Sequence, residues 1–440
     1  MTRRTFAGGV HVPEHKDATG QLPIEDLALP GEVFVPLLQH TGAPCRSLVE
    51  VGQRVLKGQK IGDADAFVTA PVHSPVTGTV KAVEERLIFN HRKVEGVAIT
   101  TGPAADQAQT AFMEAVLEWQ ELKPEAIVRI VREAGLAGLG GAAFPTHVKL
   151  SPKDKRFDTL IINGCECEPF LTCDHRLLLE RTEAIVTGIL ILKHVTGAGR
   201  VIVGIEDNKP DAIEAMKAAV SGHPGMAVEV LETRYPQGAE KQLIKALLNR
   251  EVPPGGLPMD VGALVHNVGT AIAVAEAVTG GKPLIERVLT VGGPGIVRPA
   301  NVRVAIGTPI SDVIAHAGGL RDGVTRVVMG GPMTGWAQDD LSVPVVKGTS
   351  GILALDESLT GVAVAHEVCV RCGRCVQACP QLLYPNFLGT TAEHGDWSRA
   401  EAEGALDCVE CGVCAYVCPG HRPLVRFVRE AKAAIMARRK

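Results

Sequence analysis

Near its C-terminus the sequence reads Cys369-Val-Arg-Cys372-Gly-Arg-Cys375-Val-Gln-Ala-Cys379-Pro380, and the same pattern returns as Cys408-Val-Glu-Cys411-Gly-Val-Cys414-Ala-Tyr-Val-Cys418-Pro419. Both runs have the spacing C-x2-C-x2-C-x3-C-P. Gaps of two residues bring three successive sulfurs around one metal centre. The fourth cysteine is displaced by the extra residue and the proline, so it reaches a second centre. The pattern therefore predicts two metal centres, each held by cysteines from both runs.

This spacing is typical of proteins that carry two [4Fe–4S] clusters. It assigns one cluster to Cys369, Cys372, Cys375 and Cys418, and the other to Cys379, Cys408, Cys411 and Cys414. The alternative is a pair of structural zinc sites, which also use C-x2-C pairs. Two identical four-cysteine runs, each closed by a proline, favour iron–sulfur clusters. The protein is therefore predicted to transfer single electrons.

The composition is that of a multidomain globular protein. The chain has 440 residues, of which 46% are hydrophobic and 21% charged, and a formal charge of −4 argues against a generally basic, nucleic-acid-binding surface. The most apolar stretch, Ala263–Val278, contains a histidine, an asparagine and a glutamate, so it predicts a buried element and not a membrane span. The N-terminus lacks the apolar segment of a secretory signal. Twelve cysteines, eight of them in the two runs, fit a reducing compartment and predict a cytoplasmic location.

Residues 1–105 are predicted to form an all-β domain. The segments Val51–Gly62 and Ala70–Val80 alternate apolar residues with turn residues, as hairpin strands do. The pattern resembles the barrel-sandwich hybrid fold of biotinyl and lipoyl domains. A carrier domain would present a lysine at the tip of a hairpin. Ala70–Val80 contains no lysine, which favours a scaffold role.

Residues 106–285 are predicted to form an α/β domain with a largely parallel sheet, because helical and strand patterns alternate along them. Two strands are expected at Thr159–Asn163 and Arg200–Ile205. The expected helices are Ala111–Leu122, Lys123–Gly135, Glu180–Thr196 and Pro210–Ser221.

A glycine-rich segment lies early in this domain. Gly138, Gly140 and Gly141 let backbone N–H groups approach a phosphate closely, and Lys149 is a candidate partner for that phosphate. The segment is neither a P-loop nor the dinucleotide motif G-x-G-x-x-G. A tight turn without a ligand remains the alternative.

A polar loop, Asn163–Pro169, directly follows the first predicted strand of the α/β domain. It carries Asn163, Glu166 and Glu168, and open α/β sheets bind their ligands at the carboxyl ends of strands. A solvated loop is the alternative, but the glycine-rich segment upstream favours a binding site.

The segment Gly138-x-Gly-Gly-x-x-Phe-Pro-Thr146, Lys149 and the loop Asn163–Pro169 resemble the flavin- and NADH-binding subunit of respiratory complex I. The N-terminal segments Phe6–Lys16 and Val35–Gly42 resemble the corresponding segments of the RnfC family. Members of this family are subunits of the Rnf ion-translocating electron-transport complexes. The resemblance extends over nearly the whole chain. It also follows that family's domain order, with the cluster domain last.

The resemblance implies a set of cofactor contacts. FMN is expected to bind Gly138, Gly140, Gly141, Lys149, Asn163, Glu166, Gly238 and Asn267; NADH is expected to contact Phe144, Glu168 and Glu240. It implies no acid–base catalytic residue. Three departures concern this site. Ala239 replaces an acid, Pro253–Leu257 lacks an aromatic residue, and Cys165 stands where an acid or a small residue is usual.

Four further cysteines lie outside the two runs. Cys165, Cys167 and Cys173, with His175 as a fourth ligand, would allow a third metal site. Buried thiols close to a redox site are the favoured interpretation. Cys45 stands alone in the β domain and is expected to be a packed residue.

The last two domains are expected at 286–350 and 351–440. The first resembles the β-grasp (SLBB) domain of complex I and is expected to act as a spacer. The second is a two-cluster, ferredoxin-like domain that ends in a basic helix, Leu424–Arg438. A solvated charged face is the favoured role of this helix, and docking on an acidic partner or a lipid surface is the alternative.

The resemblance implies that NADH transfers a hydride to FMN and that two [4Fe–4S] clusters then carry single electrons. The implied partners are the other subunits of a membrane-bound, ion-translocating Rnf complex, especially its iron–sulfur subunit RnfB, with ferredoxin reached indirectly. The implied location is the inner face of the cell membrane, where the protein would lie peripherally. Two alternatives stay open: a soluble flavin/iron–sulfur reductase, such as a microcompartment cobalamin reductase, and a cluster-only electron relay.

Overall fold

The computed structural model describes residues 4–151, 157–360 and 368–439. Within these ranges the chain forms four β-sheets and a C-terminal group of helices. The first strand, β1 (Ile24–Asp26), does not join its neighbours in sequence but a sheet formed much later in the chain.

The N-terminal domain packs two small antiparallel sheets face to face. One sheet has the order β2-β8-β7-β4 and the other the order β3-β5-β6. Val33, Val35 and Ile61 are fully buried between them, as the alternation of apolar residues requires. The strands are β2 (Glu32–Pro36), β3 (Arg46–Ser47), β4 (Arg54–Val55), β5 (Lys60–Asp63), β6 (Val72–His73), β7 (Gly78–Leu87) and β8 (Lys93–Thr101). This confirms the predicted barrel-sandwich architecture.

The second domain is built on a four-stranded parallel sheet of order β11-β10-β9-β12. Its strands are β9 (Thr159–Asn163), β10 (Arg200–Glu206), β11 (Met226–Leu231) and β12 (Ala263–Asn267). The helices are α1 (Pro124–Glu133), α2 (Thr146–Lys149), α3 (Cys173–Glu180), α4 (Thr182–Thr196), α5 (Pro210–Val220), α6 (Glu240–Leu248) and α7 (Val268–Gly280). The predicted α/β domain is confirmed.

Adjacent side chains of β9 show that helices cover both faces of this sheet. Ile162 packs into one apolar core and Ile161 into another on the opposite face, and both are fully buried. The chain leaves β9 toward β10 on one side, whereas β12 lies on the other side of β9. The strand order therefore reverses between β9 and β12, and such a switch point opens a crevice for a ligand.

The helix predicted at Ala111–Leu122 is wrong. This segment contains only a short 3₁₀ turn, Trp119–Glu121. Its backbone is held instead against the end of α7, where Met113 N donates to Gly281 O (2.9 Å) and Val116 N to Val278 O (2.8 Å). Tertiary hydrogen bonds thus replace the helical ones that the apolar periodicity suggested.

The third domain contains a six-stranded mixed sheet of order β1-β14-β13-β17-β15-β16. Its elements are β13 (Glu286–Gly292), β14 (Ala300–Ala305), α8 (Ile310–His316), β15 (Val324–Met329), β16 (Trp336–Gln338), β17 (Gly351–Asp356) and α9 (Glu357–Thr360). The sheet reaches beyond the expected range 286–350 at both ends. It takes in β1 from the N-terminal segment, and β17 follows residue 350.

The cluster domain repeats one short motif. Each cysteine run has a residue in the left-handed region, Arg371 or Glu410, then a glycine with positive φ, and then a short helix. The helices are α10 (Arg374–Ala378), α11 (Pro385–Glu393), α12 (Trp397–Ala402), α13 (Val413–Tyr416) and α14 (Leu424–Arg438). The predicted C-terminal helix is confirmed as α14. Among the described residues, none of the helices has both the length and the apolar character needed to cross a membrane.

Basic residues on α14 bind acids of their own domain. Arg429 and Lys432 both pair with Glu410, at 2.8 and 2.5 Å, and Arg426 pairs with Glu430 at 3.3 Å. These contacts favour the charged-face interpretation of α14 over docking on a partner or lipid.

Candidate functional site

The eight cysteines of the two runs line two separate cavities. One cavity is lined by Cys369, Cys372, Cys375 and Cys418, and the other by Cys379, Cys408, Cys411 and Cys414. Each set joins three cysteines of one run to the fourth cysteine of the other. The assignment of a cluster to each set stays a prediction, and this grouping supports it.

The chemistry of these two sets fits iron–sulfur clusters. Four sulfur ligands without oxygen or nitrogen donors are the set that such clusters use. Burial raises the pKa of the Cys411 thiol to about 12, so four thiolates can coexist there only around a cationic centre. Backbone N–H groups also point at the sulfurs, as Glu410 N does at Cys408 Sγ (3.4 Å).

A larger cavity, of about 560 Å³, lies at the switch point of the parallel sheet. Asn163, the last residue of β9, and Asn267, the last residue of β12, both line it. Segments of three domains complete the wall: residues 38–42 and 88–92 of the β domain, the glycine-rich loop, and residues 329–336 and 346–350 of the third domain. Both the volume and the position suit a cofactor.

Seven of the eleven residues predicted to contact FMN or NADH line this cavity. They are Gly140, Gly141, Asn163, Glu166, Glu168, Gly238 and Asn267. Gly141 has a φ of +110°, and a Cβ atom there would meet nothing within 4 Å, so the loop presents bare backbone to the cavity. The glycines and amides fit a planar, phosphate-bearing cofactor such as FMN, which backbone groups can approach closely.

The other four predicted residues, Gly138, Phe144, Lys149 and Glu240, are not among those that line the cavity. Gly138 N donates to Phe144 O (2.8 Å) and closes the glycine-rich loop. Lys149 Nζ donates to Glu240 Oε1 (2.7 Å) and to Val265 O (3.2 Å). Lys149 and Glu240 therefore form an ion pair beside β12.

The N-terminus of α3 holds the carboxylate of Glu166. The two carboxylate oxygens of Glu166 accept hydrogen bonds from the backbone N–H groups of Asp174 (2.7 Å) and His175 (3.1 Å). The backbone of Glu166 has a φ of +48°. A carboxylate at a helix N-terminus is stabilised by the free N–H groups there. The strained backbone and these bonds hold the loop in one conformation.

Two lysines, the half-buried Lys16 and the fully buried Lys209, hold the same loop. Lys16 Nζ donates to the carbonyl oxygens of Glu166 (2.8 Å) and Glu168 (2.9 Å) and also to that of Leu171. Lys209 Nζ donates to Cys165 O (2.6 Å). Burial lowers the pKa of Lys16. Both lysines were missed as site residues, although Lys16 ends the N-terminal motif Phe6–Lys16.

Glu168 joins the α/β domain to the third domain. Its carboxylate accepts the backbone N–H of Met333 (3.0 Å) and the hydroxyl of Thr334, and the Tyr235 hydroxyl lies 3.4 Å away. Burial raises the pKa of Glu168. The carboxylate thus has structural partners in addition to its place on the cavity wall.

Asp174 is a cavity residue that was not predicted. Asn267 Nδ2 donates to its carboxylate (2.6 Å), while Asn267 Oδ1 caps α7 by accepting from Gly269 N (2.8 Å). Burial, together with the negative charge of Glu166, raises the pKa of Asp174 to about 7. This carboxyl group therefore titrates near neutral pH. An aspartate in the first turn of a helix carries no distinguishing signal in the sequence.

The structure does not gather Cys165, Cys167 and Cys173 around one metal. Cys165 Sγ faces Gly204 O (3.8 Å), Cys167 Sγ accepts from Gly238 N (3.4 Å), and Cys173 Sγ faces Ser350 O (3.4 Å). Burial raises the pKa of all three thiols. Among the described residues, the group that could hold an ion is Glu166, Cys173 and Asp174, without the other two cysteines. The buried-thiol interpretation is favoured.

Four family descriptions match successive parts of the chain. Residues 4–103 match the RnfC barrel sandwich hybrid domain and residues 131–276 the Nuo51 FMN-binding domain. Residues 288–337 match the SLBB domain and residues 362–419 the 4Fe-4S dicluster domain. The order of these families is the predicted domain order.

Curated relatives, each the C component of a multi-subunit complex, match nearly the whole chain. The one from the proton-translocating ferredoxin:NAD(+) oxidoreductase complex of Clostridium ljungdahlii is 43% identical, over 98% of this chain and 94% of its own length. The one from the Na(+)-translocating complex of Acetobacterium woodii is 42% identical, over 99% and 98%. The one from the ion-translocating oxidoreductase complex of Pseudomonas aeruginosa is 42% identical, over 99% of this chain but 56% of its own length.

Among solved structures, the NAD+-reducing [NiFe]-hydrogenase in the H2-reduced state is similar, with a TM-score of 0.50. The match has 22% identity and covers 75% of this chain and 68% of that one, so it shows a shared fold. The curated relatives carry the assignment: this chain belongs to the RnfC family, the C components of the Rnf ion-translocating oxidoreductase complexes.

Proposed function

We propose that this protein is the NADH-oxidising, electron-transferring subunit of an ion-translocating ferredoxin:NAD+ oxidoreductase complex. One observation carries the proposal. A cofactor-sized cavity with an FMN-domain loop on its wall and two sets of four thiolates occur in one chain. A flavin exchanges electrons in pairs or singly, whereas a cluster accepts one electron at a time, so the two sites together convert a hydride into single electrons.

We propose that FMN binds in the large cavity. When bound there, FMN supplies hydride exchange with NADH and one-electron exchange with the clusters. The backbone of Gly140 and Gly141 and the side chains of Asn163, Glu166 and Asn267 would hold and orient it, with Gly238 on the wall beside them. Gly138 and Lys149 belong to the proposed set because the first closes the loop and the second ends the helix that follows it.

We propose that NADH enters through the same cavity and contacts Phe144, Glu168 and Glu240. Of these, Glu168 lines the cavity, Phe144 lies in the glycine-rich loop, and Glu240 begins α6. Hydride transfer needs alignment of two rings and no proton-transferring side chain, so no catalytic acid or base is assigned.

We propose a division of the chain into domains at 1–105, 106–285, 286–350 and 351–440. The family matches at 4–103, 131–276, 288–337 and 362–419 support this division. The strand Gly351–Asp356 belongs to the six-stranded sheet, which favours a last boundary after residue 356.

We propose that the electrons leave toward RnfB, the iron–sulfur subunit of the complex, and reach ferredoxin indirectly. The relatives are named as subunits of multi-subunit complexes, which supports the existence of such partners. We also propose a peripheral place on the cytoplasmic face of the membrane, where NADH and ferredoxin are available. Ion transport would then belong to other subunits.

The test uses the full chain, reconstituted without oxygen with iron, sulfide and FMN. We expect about eight irons per chain, the content of two cubane clusters, together with bound FMN. Added NADH should bleach the flavin absorbance and produce the EPR signals of reduced clusters. Eight irons without bound flavin and without a response to NADH would contradict the proposal and leave a cluster-only relay.

A further inference from the structure

The N-terminal segment of the chain contacts the cluster domain at one of the two cysteine sets. Gly9 N donates to Ala378 O at 2.8 Å. Gly8 has a φ of +76°, and a Cβ atom there would lie 2.6 Å from Cys379 O. The N-terminal segment therefore packs directly on the backbone of Cys379, which belongs to the set with Cys408, Cys411 and Cys414.

The second cysteine run is contacted at the same set. Tyr235 Oη donates to Cys411 O at 2.7 Å. A Cβ atom on Gly412 would lie 2.7 Å from Met333 O of the third domain. Since glycine is needed for this approach, the packing of Cys411 and its neighbour against the other domains is tight.

The other cysteine set opens to solvent. In its first loop Cys372 is exposed, and Val368 and Val370 are 82% and 60% exposed. Arg371, which follows Val370, is exposed as well. The two sets therefore differ: contacts from the other domains reach the first set, whereas the second set includes an exposed cysteine, Cys372.

Tyr235 joins the cavity wall to the first set. Its side chain is 3% exposed, and its hydroxyl lies 3.4 Å from the carboxylate of Glu168, which lines the large cavity. A continuous path of Glu168, Tyr235 and Cys411 thus runs from the cavity to the cluster ligands.

We infer that Cys379, Cys408, Cys411 and Cys414 hold the proximal cluster, which receives electrons from the cavity. Cys369, Cys372, Cys375 and Cys418 then hold the distal cluster, which passes electrons to the partner. Tyr235 is a positioning residue that fixes the proximal cluster against the cavity wall. This inference rests on the proposed function, in which NADH supplies the electrons through FMN.

The electron balance of this order is simple. With clusters held by both cysteine sets, one electron lost by the donor in the cavity would reduce the proximal cluster. Its onward transfer would reoxidise that cluster and reduce the distal one. A second electron follows the same route, and no bond to a cysteine forms or breaks. The terminal oxidant is an electron acceptor of the iron–sulfur class.

The first test compares two variants of the reconstituted full chain, Cys372→Ser and Cys408→Ser. After rapid mixing with NADH, freeze-quench EPR should show that the cluster remaining in Cys372→Ser is still reduced. The cluster remaining in Cys408→Ser should be reduced by NADH at least about tenfold more slowly, yet fully by dithionite. The opposite pattern would overturn the proposed order.

A second measurement does not depend on NADH or FMN. Both variants are reduced with dithionite, and a dysprosium chelate is added as a relaxing agent in solution. We expect much faster relaxation of the EPR signal in Cys408→Ser, where the solvent-facing set remains, than in Cys372→Ser. Equal relaxation, or the reverse, overturns the order even if NADH fails to bleach the flavin, a failure that would count against the proposed function alone.

Tyr235 is tested with Tyr235→Phe, and Tyr384→Phe serves as the matched control because Tyr384 is 59% exposed. With iron and FMN contents equal, Tyr235→Phe should slow cluster reduction several-fold relative to flavin bleaching, and Tyr384→Phe should not. Identical cluster reduction rates in the two variants would show that Tyr235 has no positioning role.

Discussion

The cluster domain and the large cavity collect their functional residues over different lengths of chain. All eight cysteines of the runs lie between residues 369 and 418. The cavity wall instead combines residues from 38 to 350 and from three domains. Metal geometry constrains short loops, so spacing alone predicts which cysteines group together. A cavity made by domain packing leaves no comparable spacing. Asp174, which lines it, and Lys16 and Tyr235, which contact the wall residues Glu166 and Glu168, emerge only in three dimensions.

The largest effect is expected at the cluster cysteines, which lie close together in the sequence. Cys414→Ser removes one thiolate ligand, and the iron content should fall from about eight to about four per chain. Cys45→Ser is the matched control, because Cys45 is buried outside the runs and its sulfur lies near Thr69 Oγ1 and Ala70 O, which can accept or share a hydrogen bond. Iron and sulfide analysis measures the result. An unchanged iron content in Cys414→Ser would break the assignment of this ligand set.

The next effect tests whether remote residues shape the cavity. Lys16→Met leaves three loop carbonyls without their donor, and each unsatisfied buried group costs about 1–3 kcal/mol. We expect the free energy of unfolding to fall by about 3 kcal/mol and FMN affinity to fall as well. Denaturant unfolding and flavin fluorescence titration measure the two changes.

Lys217→Met is the control for Lys16→Met, since Lys217 is an exposed residue of α5. If the two variants bound FMN equally well, the loop would not depend on Lys16. The proposed contrast between the cluster sites, which depend on local sequence, and the cavity, which depends on distant residues, would then lose its strongest support.

A smaller effect is expected at the glycine-rich loop. Gly141→Ala adds strain at a φ of +110° and puts a methyl group on the cavity side, so the dissociation constant of FMN should rise about tenfold, or about 1.4 kcal/mol. Gly197→Ala is the control, because Gly197 also has a positive φ, +64°, and also meets nothing within 4 Å, but ends α4 away from the cavity. An equal loss of affinity in both variants would attribute the effect to general destabilisation.

The last prediction concerns the pH dependence of stability. The pKa of Asp174 is raised to about 7 in the folded protein, so between the ordinary aspartate pKa and pH 7 the folded state binds more protons than the unfolded one. The contribution of Asp174 to stability should therefore fall as the pH rises through this window, by at most about 1.4 kcal/mol per unit. It should be constant above pH 7.

Asp174→Asn should remove this pH dependence. Thermal unfolding of the variant and of the unaltered protein at pH 5 and pH 8 measures the difference, with Asp339→Asn as an exposed control. Parallel pH profiles for Asp174→Asn and the unaltered protein would show that Asp174 does not titrate in this range.

Much of the fold follows from patterns of short range. Alternation in Val51–Gly62 and Ala70–Val80, buried apolar runs in β9 and β10 and the period of α4, α5 and α14 were sufficient to predict strands and helices in those segments. The failure at Ala111–Leu122 has a specific cause: its backbone N–H groups bond to the end of α7 instead of to each other. Strand β1 is only three residues long and pairs with β14, far along the chain, so no local pattern could indicate it.

By itself the sequence determined the grouping of the cysteines, the order of the domains and the family, because these depend on spacing and on contiguous motifs. Only the tertiary structure decided which predicted residues line the cavity, which lysines hold the Asn163–Pro169 loop, and which cysteine set contacts the flavin domain. Those features arise from contacts between segments far apart in the chain. The energies of these contacts depend on burial and on distance in space, and neither can be read from the spacing of residues in the sequence.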